Sequence, residues 1–94
     1  MMDSVKIADI VISTAGREKG KPFLVYEVDE SRVLLVDGRY RKLENPKHKN
    51  VKHIRFAARP EDETARILRR GGQSANSAIR KVLAAFAQAQ PDLL

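Results

Sequence analysis

The sequence predicts a mainly β protein with a C-terminal helical appendage, in which five short strands close into a small barrel and a two-helix tail follows. Apolar, β-branched runs separated by turn residues fill most of the chain up to residue 56, and helical spacing replaces them after Pro60. With 94 residues, 43% of them hydrophobic, the chain can bury one core. The predicted division is a barrel over residues 1–58 and a helical tail over residues 59–94.

Three strands are predicted in the first 37 residues. Residues 5–14 begin with alternation and end in a β-branched run, and residues 22–28 begin at Pro22, where a strand tolerates proline. Residues 32–37 predict a third strand, paired with the second as a hairpin. Both hairpin strands are apolar at successive positions, as expected for strands enclosed on two faces or curved around a barrel.

The middle of the chain carries weaker signals. Asp37-Gly38 predicts a turn. Strands are predicted over residues 40–43 and 51–55, and a polar basic loop over residues 45–50 separates them.

Two helices are predicted in the tail. The first helix is predicted over residues 61–70, because acids occupy its first turn, arginines occupy its last turn and Gly71 follows it directly. Ser74 or Asn76 is predicted to cap a second helix that ends at Pro91. The apolar residues of both helices are expected to pack on an open side of the barrel: Ile67, Leu68, Ile79, Leu83 and Phe86.

Positive charge is concentrated in one segment. The chain has a formal charge of +6, yet residues 39–59 hold eight Lys and Arg against one acid, Glu44, a net charge of +7. Concentrated charge of this kind favours a polyanionic partner such as RNA.

Other function classes find little support. The absence of cysteine excludes disulfides, thiolate metal sites and a cysteine nucleophile, and it fits a cytoplasmic location. No signal peptide and no bilayer-spanning stretch is recognisable, so no membrane partner is expected. We expect no enzyme activity, cofactor, metal site or small-molecule substrate, because no catalytic or ligand set has a recognisable local frame.

The run AGREKGK, residues 15–21, lies between two apolar runs and predicts a tight basic loop. A nucleotide-binding P-loop has a different pattern: here the glycines are one residue too close, Pro22 replaces Ser or Thr, and a strand follows. Gly16 and Gly20 are therefore expected to shape a strand-to-strand loop. Its basic residues either contact RNA or are only solvated.

The residues from Asp9 to Val36, DIVISTAGREKGKPFLVYEVDESRVLLV, resemble a KOW motif, with Gly20 at the central glycine. Together with VLLVDG and the basic NPKHKNVKHI of residues 45–54, they make the chain similar to the KOW-motif large-subunit ribosomal proteins of archaea and eukaryotes and to their short bacterial relatives. The resemblance implies an SH3-like barrel that binds RNA.

The two basic segments are expected to contact RNA mainly at phosphate and sugar. Tyr40 is the one aromatic residue expected to stack, and His48 and His53 are expected to supplement this surface rather than bind metal. A solvated run of charge is the alternative for the second segment. The predicted RNA-binding residues are Gly16, Arg17, Lys19, Gly20, Lys21, Arg39, Tyr40, Arg41, Lys42, Lys47, His48, Lys49, Lys52 and His53.

Two functions are consistent with these features. The first is an RNA-binding protein of the translation apparatus, with ribosomal RNA as its expected partner and ribosomal proteins as further partners. The alternative is a protein-binding KOW adaptor that contacts a ribosomal protein or the transcription machinery. This alternative is based on the near-neutral tail, whose helices carry apolar residues.

Overall fold

The structure is a computed structural model that describes residues 5–93. Its five strands form one antiparallel sheet in the order β4-β3-β2-β1-β5, which confirms the predicted number of strands. A 3-10 turn of three residues joins the two edge strands, β4 and β5. Two helices follow, as predicted. The bounds are β1 (Ile10–Ser13), β2 (Pro22–Val28), β3 (Arg32–Val36), β4 (Lys47–Asn50), the 3-10 turn (Val51–His53), β5 (Ile54–Ala58), α1 (Asp62–Arg70) and α2 (Gln73–Ala89).

The two faces of the sheet contribute to two separate apolar clusters. Alternation along β1 places Ile10 and Ile12 on one face and Val11 on the other. The inner cluster consists of residues at most 1% exposed: Val11, Phe23, Val25, Val33 and Leu35. Strands β2 and β3 are therefore buried on both faces, as their uninterrupted apolar runs predict.

The helices cover the other face of the sheet. Ile79, Leu83 and Phe86 of α2, at helical spacing, and Leu68 of α1 pack on this face and form the outer cluster with Ala8, Ile10, Ile12, Leu24 and Val36. Burial of one such side chain contributes about 1.5–3 kcal/mol. Ile67, also expected in this contact, is only partly buried. Within residues 5–93, neither helix is long and apolar enough to cross a membrane.

Strand β1 is shorter than predicted, because the backbone turns before it. Ala8 has a φ of 78°, and it is the one non-glycine residue with positive φ in the described part of the chain. Asp9 supports this turn, since its Oδ2 accepts a hydrogen bond from the backbone N–H of Lys6 at 2.8 Å. An alanine in the left-handed region is rare, so the sequence pattern does not reveal the turn.

The strands predicted over residues 40–43 and 51–55 are misplaced. Residues 40–43 form bends and a turn, the predicted loop contains β4, and β5 begins only at Ile54. Strand β4 has no apolar alternation because lysines stand opposite apolar residues of β3. Lys47 pairs with Leu35, and Lys49 pairs with Val33. Lysine stems can cover apolar surface in this way.

Helix α2 begins before either predicted cap. Its first residue is Gln73, and its N-cap is Gly72. Asn76 is instead a buried tie between α2 and the segment that precedes β4. Its Oδ1 accepts a hydrogen bond from the backbone N–H of Leu43 at 3.0 Å, and its Nδ2 donates to Glu44 Oε1 at 3.2 Å.

Candidate nucleic-acid interface

The β1–β2 loop and the turn after β3 lie at the same end of the sheet. The register pairs Ile12 with Pro22 and Leu24 with Val36, so both connections leave the sheet side by side. The Lys21 ammonium lies 5.9 Å from the centroid of the Tyr40 ring. Two basic segments about twenty residues apart in sequence thus meet in space.

The β1–β2 loop is closed by its own backbone. The Gly20 N–H donates to the Ser13 carbonyl at 2.8 Å, and the Lys21 N–H donates to the Glu18 carbonyl at 2.9 Å. Gly20 has a φ of +89°, which side-chain-bearing residues rarely adopt. The predicted strand-to-strand loop is therefore present, and it leaves three cations exposed: Arg17, Lys19 and Lys21.

The turn after β3 is organised by Asp37. Its Oδ1 accepts hydrogen bonds from the backbone N–H groups of Arg39 and Arg41 at 2.9 and 2.8 Å. Gly38, with a φ of +78°, packs so closely on α2 that a Cβ at this position would overlap the Asn76 carbonyl oxygen. This turn presents Tyr40, which is 76% exposed.

Two grooves flank Tyr40. One lies toward α2 and is lined in part by Lys21, Arg39 and Arg80. The other runs toward the β1–β2 loop and is lined in part by Arg17, Lys21 and Arg41. Asp37 lines both grooves and Glu18 lines the second. An exposed aromatic ring with cations on both sides offers a stacking surface beside positive charge, the two features that proteins use to bind single-stranded nucleic acid.

The lysines of β4 are partly used by the fold. Lys49 Nζ donates to the Ala15 carbonyl at 2.8 Å and lies 3.9 Å from Glu18 Oε1, and its side chain is only 9% exposed. Lys47 Nζ lies 3.7 Å from the same carboxylate oxygen. These lysines therefore hold the β1–β2 loop against β4, and Glu18 offsets part of their charge.

Arg59 is likewise engaged with an acid from outside the basic segment. Its Nε donates to Asp9 Oδ1 at 2.8 Å and its Nη2 to Asp9 Oδ2 at 3.1 Å, and the Asp9 side chain is 1% exposed. Its guanidinium also lies 5.4 Å from the Phe56 ring centroid. The net charge of residues 39–59 thus overstates the charge available to a partner.

The structure separates the two histidines from the Tyr40 grooves. His48 alternates with Lys47 and Lys49 along β4, so it lies on the opposite face, in a groove with Glu27 and Asp29. His53 is half-buried in the 3-10 turn, and its carbonyl accepts a hydrogen bond from the Thr14 N–H at 2.9 Å.

Of the remaining predicted residues, Lys52 is exposed in the 3-10 turn, and Lys42 is exposed beside Glu44. A hydrogen bond accepted from its own backbone N–H, a second from Asn76 and the charge of Lys42 lower the pKa of Glu44 from its usual range. This carboxylate therefore stays ionised next to the basic surface at neutral pH.

Sequence reasoning does not single out Arg80. Its Nη1 donates to the Gly38 carbonyl at 2.5 Å, so it joins α2 to the turn that carries Tyr40. Arg80 lies one residue after Ile79 in an amphipathic helix, where a polar residue is ordinary. Only the tertiary contact with residues 37–41 gives it a place at this interface.

No protein-family model matches the chain, and comparison with curated proteins finds no significant match.

Proposed function

We propose that the chain is a cytoplasmic RNA-binding protein of the translation apparatus, a KOW-type SH3-like barrel that docks on structured RNA, ribosomal RNA first of all. The convergence of the β1–β2 loop and the Tyr40 turn carries this proposal. Their exposed side chains are Arg17, Lys19, Lys21, Arg39 and Tyr40. The resemblance to KOW-motif ribosomal proteins supplies the class of RNA.

The connection between the edge strands supports the barrel. In a flat sheet, β4 and β5 would lie four strand spacings apart, about 19 Å. The three residues between them span at most about 14 Å even when fully extended. The sheet must therefore curl. Among residues 5–93, the apolar side chains packed against the inner cluster are Val5, Val51 and Ile54, none of them from α1 or α2, so this cluster fits the interior of such a curled sheet.

The acids near the interface are partly engaged within the fold. Glu18 is directed toward Lys47 and Lys49, and the Oδ1 of Asp37 is used by two backbone N–H groups. The exposed cations around Tyr40 can then meet phosphate without competing for these acceptors. Lysine and arginine contacts of this kind favour recognition of RNA shape over sequence.

A charge-matched pair of variants tests the proposal. Replacement of Arg17, Lys19 and Lys21 by alanine is expected to weaken binding to a ribosomal RNA fragment, identified by crosslinking in cells, more than tenfold. With about five phosphates contacted, the wild-type log K should fall with log salt with a slope of about −4, and the variant should show a shallower slope.

The control removes the same charge elsewhere. Arg66, Arg69 and Arg70 are exposed on α1, and their replacement by alanine should change affinity little. Equal losses from both triple variants would mean that net charge alone drives binding. Crosslinks spread evenly over cellular RNA would contradict the ribosomal assignment.

The tail offers no specific observation for the adaptor alternative. Of the apolar residues that motivate it, Ile67 is partly buried, and four are at most 7% exposed and lie in the outer cluster: Leu68, Ile79, Leu83 and Phe86. These side chains are therefore part of the core rather than a docking surface.

A further inference from the structure

The turn that carries Tyr40 is constrained, while its ring stands in solvent. Asp37 Oδ1 accepts two backbone hydrogen bonds within the turn, and Arg80 Nη1 donates to the Gly38 carbonyl at 2.5 Å. A ring 76% exposed on so constrained a turn loses little backbone entropy when a flat ligand stacks on it. The backbone that carries Tyr40 is therefore preorganised for stacking.

A groove of 290 Å³ lies between this turn and α2. Its apolar lining comes from Pro22, Leu83 and Ala84, and its cations are Lys21, Arg39 and Arg80. The volume is near the lower end of small-ligand sites, which suits one flat ring inside the groove. A base with its phosphate has the matching chemistry, because the ring needs apolar contact and the phosphate needs cations.

One acid lines this otherwise basic groove. Both backbone hydrogen bonds to Asp37 go to Oδ1, and within residues 5–93 no group donates a hydrogen bond to Oδ2. A carboxylate oxygen repels phosphate but accepts a hydrogen bond from the exocyclic amino group of adenine, cytosine or guanine. Uracil offers its one ring N–H between two carbonyl oxygens, which repel a carboxylate.

On the basis of the proposed RNA-binding function, we infer that this groove takes one unpaired base that carries an amino group, stacked on Tyr40 with its phosphate at Lys21, Arg39 and Arg80. Unpaired bases in bulges and loops are the parts of structured RNA whose edges a protein can reach. The β1–β2 loop then binds the neighbouring backbone, and the groove selects the base.

Two RNA duplexes of sixteen base pairs, one fully paired and one with a single bulged adenine, test this inference. The wild-type chain is expected to bind the bulged duplex roughly tenfold more tightly, since stacking of one base on an aromatic side chain has about this effect. Tyr40→Ala should abolish the difference, because affinity for the bulged duplex should fall to that for the paired duplex. Tyr40→Phe, the matched control, should retain it.

Asp37→Asn tests the amino-group preference. The amide keeps an oxygen for the two backbone N–H groups of the turn and replaces Oδ2 by a donor. The preference for bulged adenine over bulged uracil is expected to disappear or invert, while bulged and paired duplexes are still distinguished. An unchanged preference would overturn the role of Asp37.

The outcomes separate this inference from the function on which it rests. Equal affinity of the wild-type chain for bulged and paired duplexes, or a Tyr40→Ala variant that still distinguishes them, would overturn the groove and leave RNA binding standing. Failure of the folded wild-type chain to bind either duplex would overturn both.

Discussion

Lys49 stands in a basic stretch but serves the fold. Its ammonium donates to the Ala15 carbonyl at 2.8 Å, and its side chain is 9% exposed. The sequence around it gives no sign of this, because Glu18, the acid near it, lies about thirty residues earlier. The sequence predicts that Lys49 contacts RNA because its sequence neighbours are basic, but its largely buried side chain links β4 to the β1–β2 loop.

Lys49→Met should therefore lower the free energy of unfolding. Methionine keeps most of the aliphatic stem, but the Ala15 carbonyl loses a charged donor, which we expect to cost about 1–2 kcal/mol. Lys52→Met, at an exposed position close by, should change stability by less than about 0.5 kcal/mol. Urea denaturation followed by circular dichroism measures both, and coincident midpoints would contradict the structural role of Lys49.

At the scale of elements, local patterns identify β2, β3 and α1 to within about a residue but misplace the strands between Asp37 and Ile54. In the elements that are predicted well, the apolar residues that recur at the period of a strand or helix are the ones that the fold buries. Strand β4 carries Lys47 and Lys49 at its inward positions, so its pairing depends on contacts with β3 and Glu18 that no local window contains. Charged residues of this kind also protect an edge strand from pairing with other chains.

The turn between β3 and β4 gives an element-level prediction. Gly38→Ala should destabilise the fold by more than 1 kcal/mol, because alanine is strained at a φ of +78° and its Cβ would overlap the Asn76 carbonyl of α2. Gly72→Ala is the control, since Gly72 has a φ of +86° but no atom within 4 Å of an added Cβ.

Comparing the thermal unfolding of the two glycine variants separates the effect of the overlap with α2 from the effect of backbone strain at positive φ. The loss of stability should be distinctly larger for Gly38→Ala. If both variants lose the same amount, backbone strain alone accounts for the effect, and the packing of this turn on α2 contributes nothing measurable.

On the scale of the whole molecule, the sheet and the tail share the outer cluster. Sequence alone indicates which helix residues are apolar and which two segments are basic, and the structure adds how they meet. What the sequence cannot supply is the pairing of distant charges. Asp9 with Arg59 and Glu18 with the β4 lysines redistribute a charge that a sequence window assigns to one segment.

A chain that ends at Arg59 should fail to fold cooperatively. It would expose Ile10, Ile12, Leu24 and Val36, and removing the helix side chains that cover them sacrifices about 1.5–3 kcal/mol for each buried residue. That loss is comparable with the whole stability of a small domain. A chain that ends at Ala89, which keeps both helices, is the control. Cooperative urea unfolding of the shorter chain would show that residues 1–59 are an independent domain.

The hydrogen bond between Arg80 and the Gly38 carbonyl affects how a mutational scan of this protein should be interpreted. Because α2 both covers the sheet and holds the Tyr40 turn, a substitution in its buried face disturbs the groove without touching any ligand. Under the proposed function, a mutational scan for loss of RNA binding would recover α2 positions such as Ile79 and Phe86 beside the surface residues. Protein abundance measured in the same cells would distinguish variants that are unstable from folded variants that lose the proposed RNA binding.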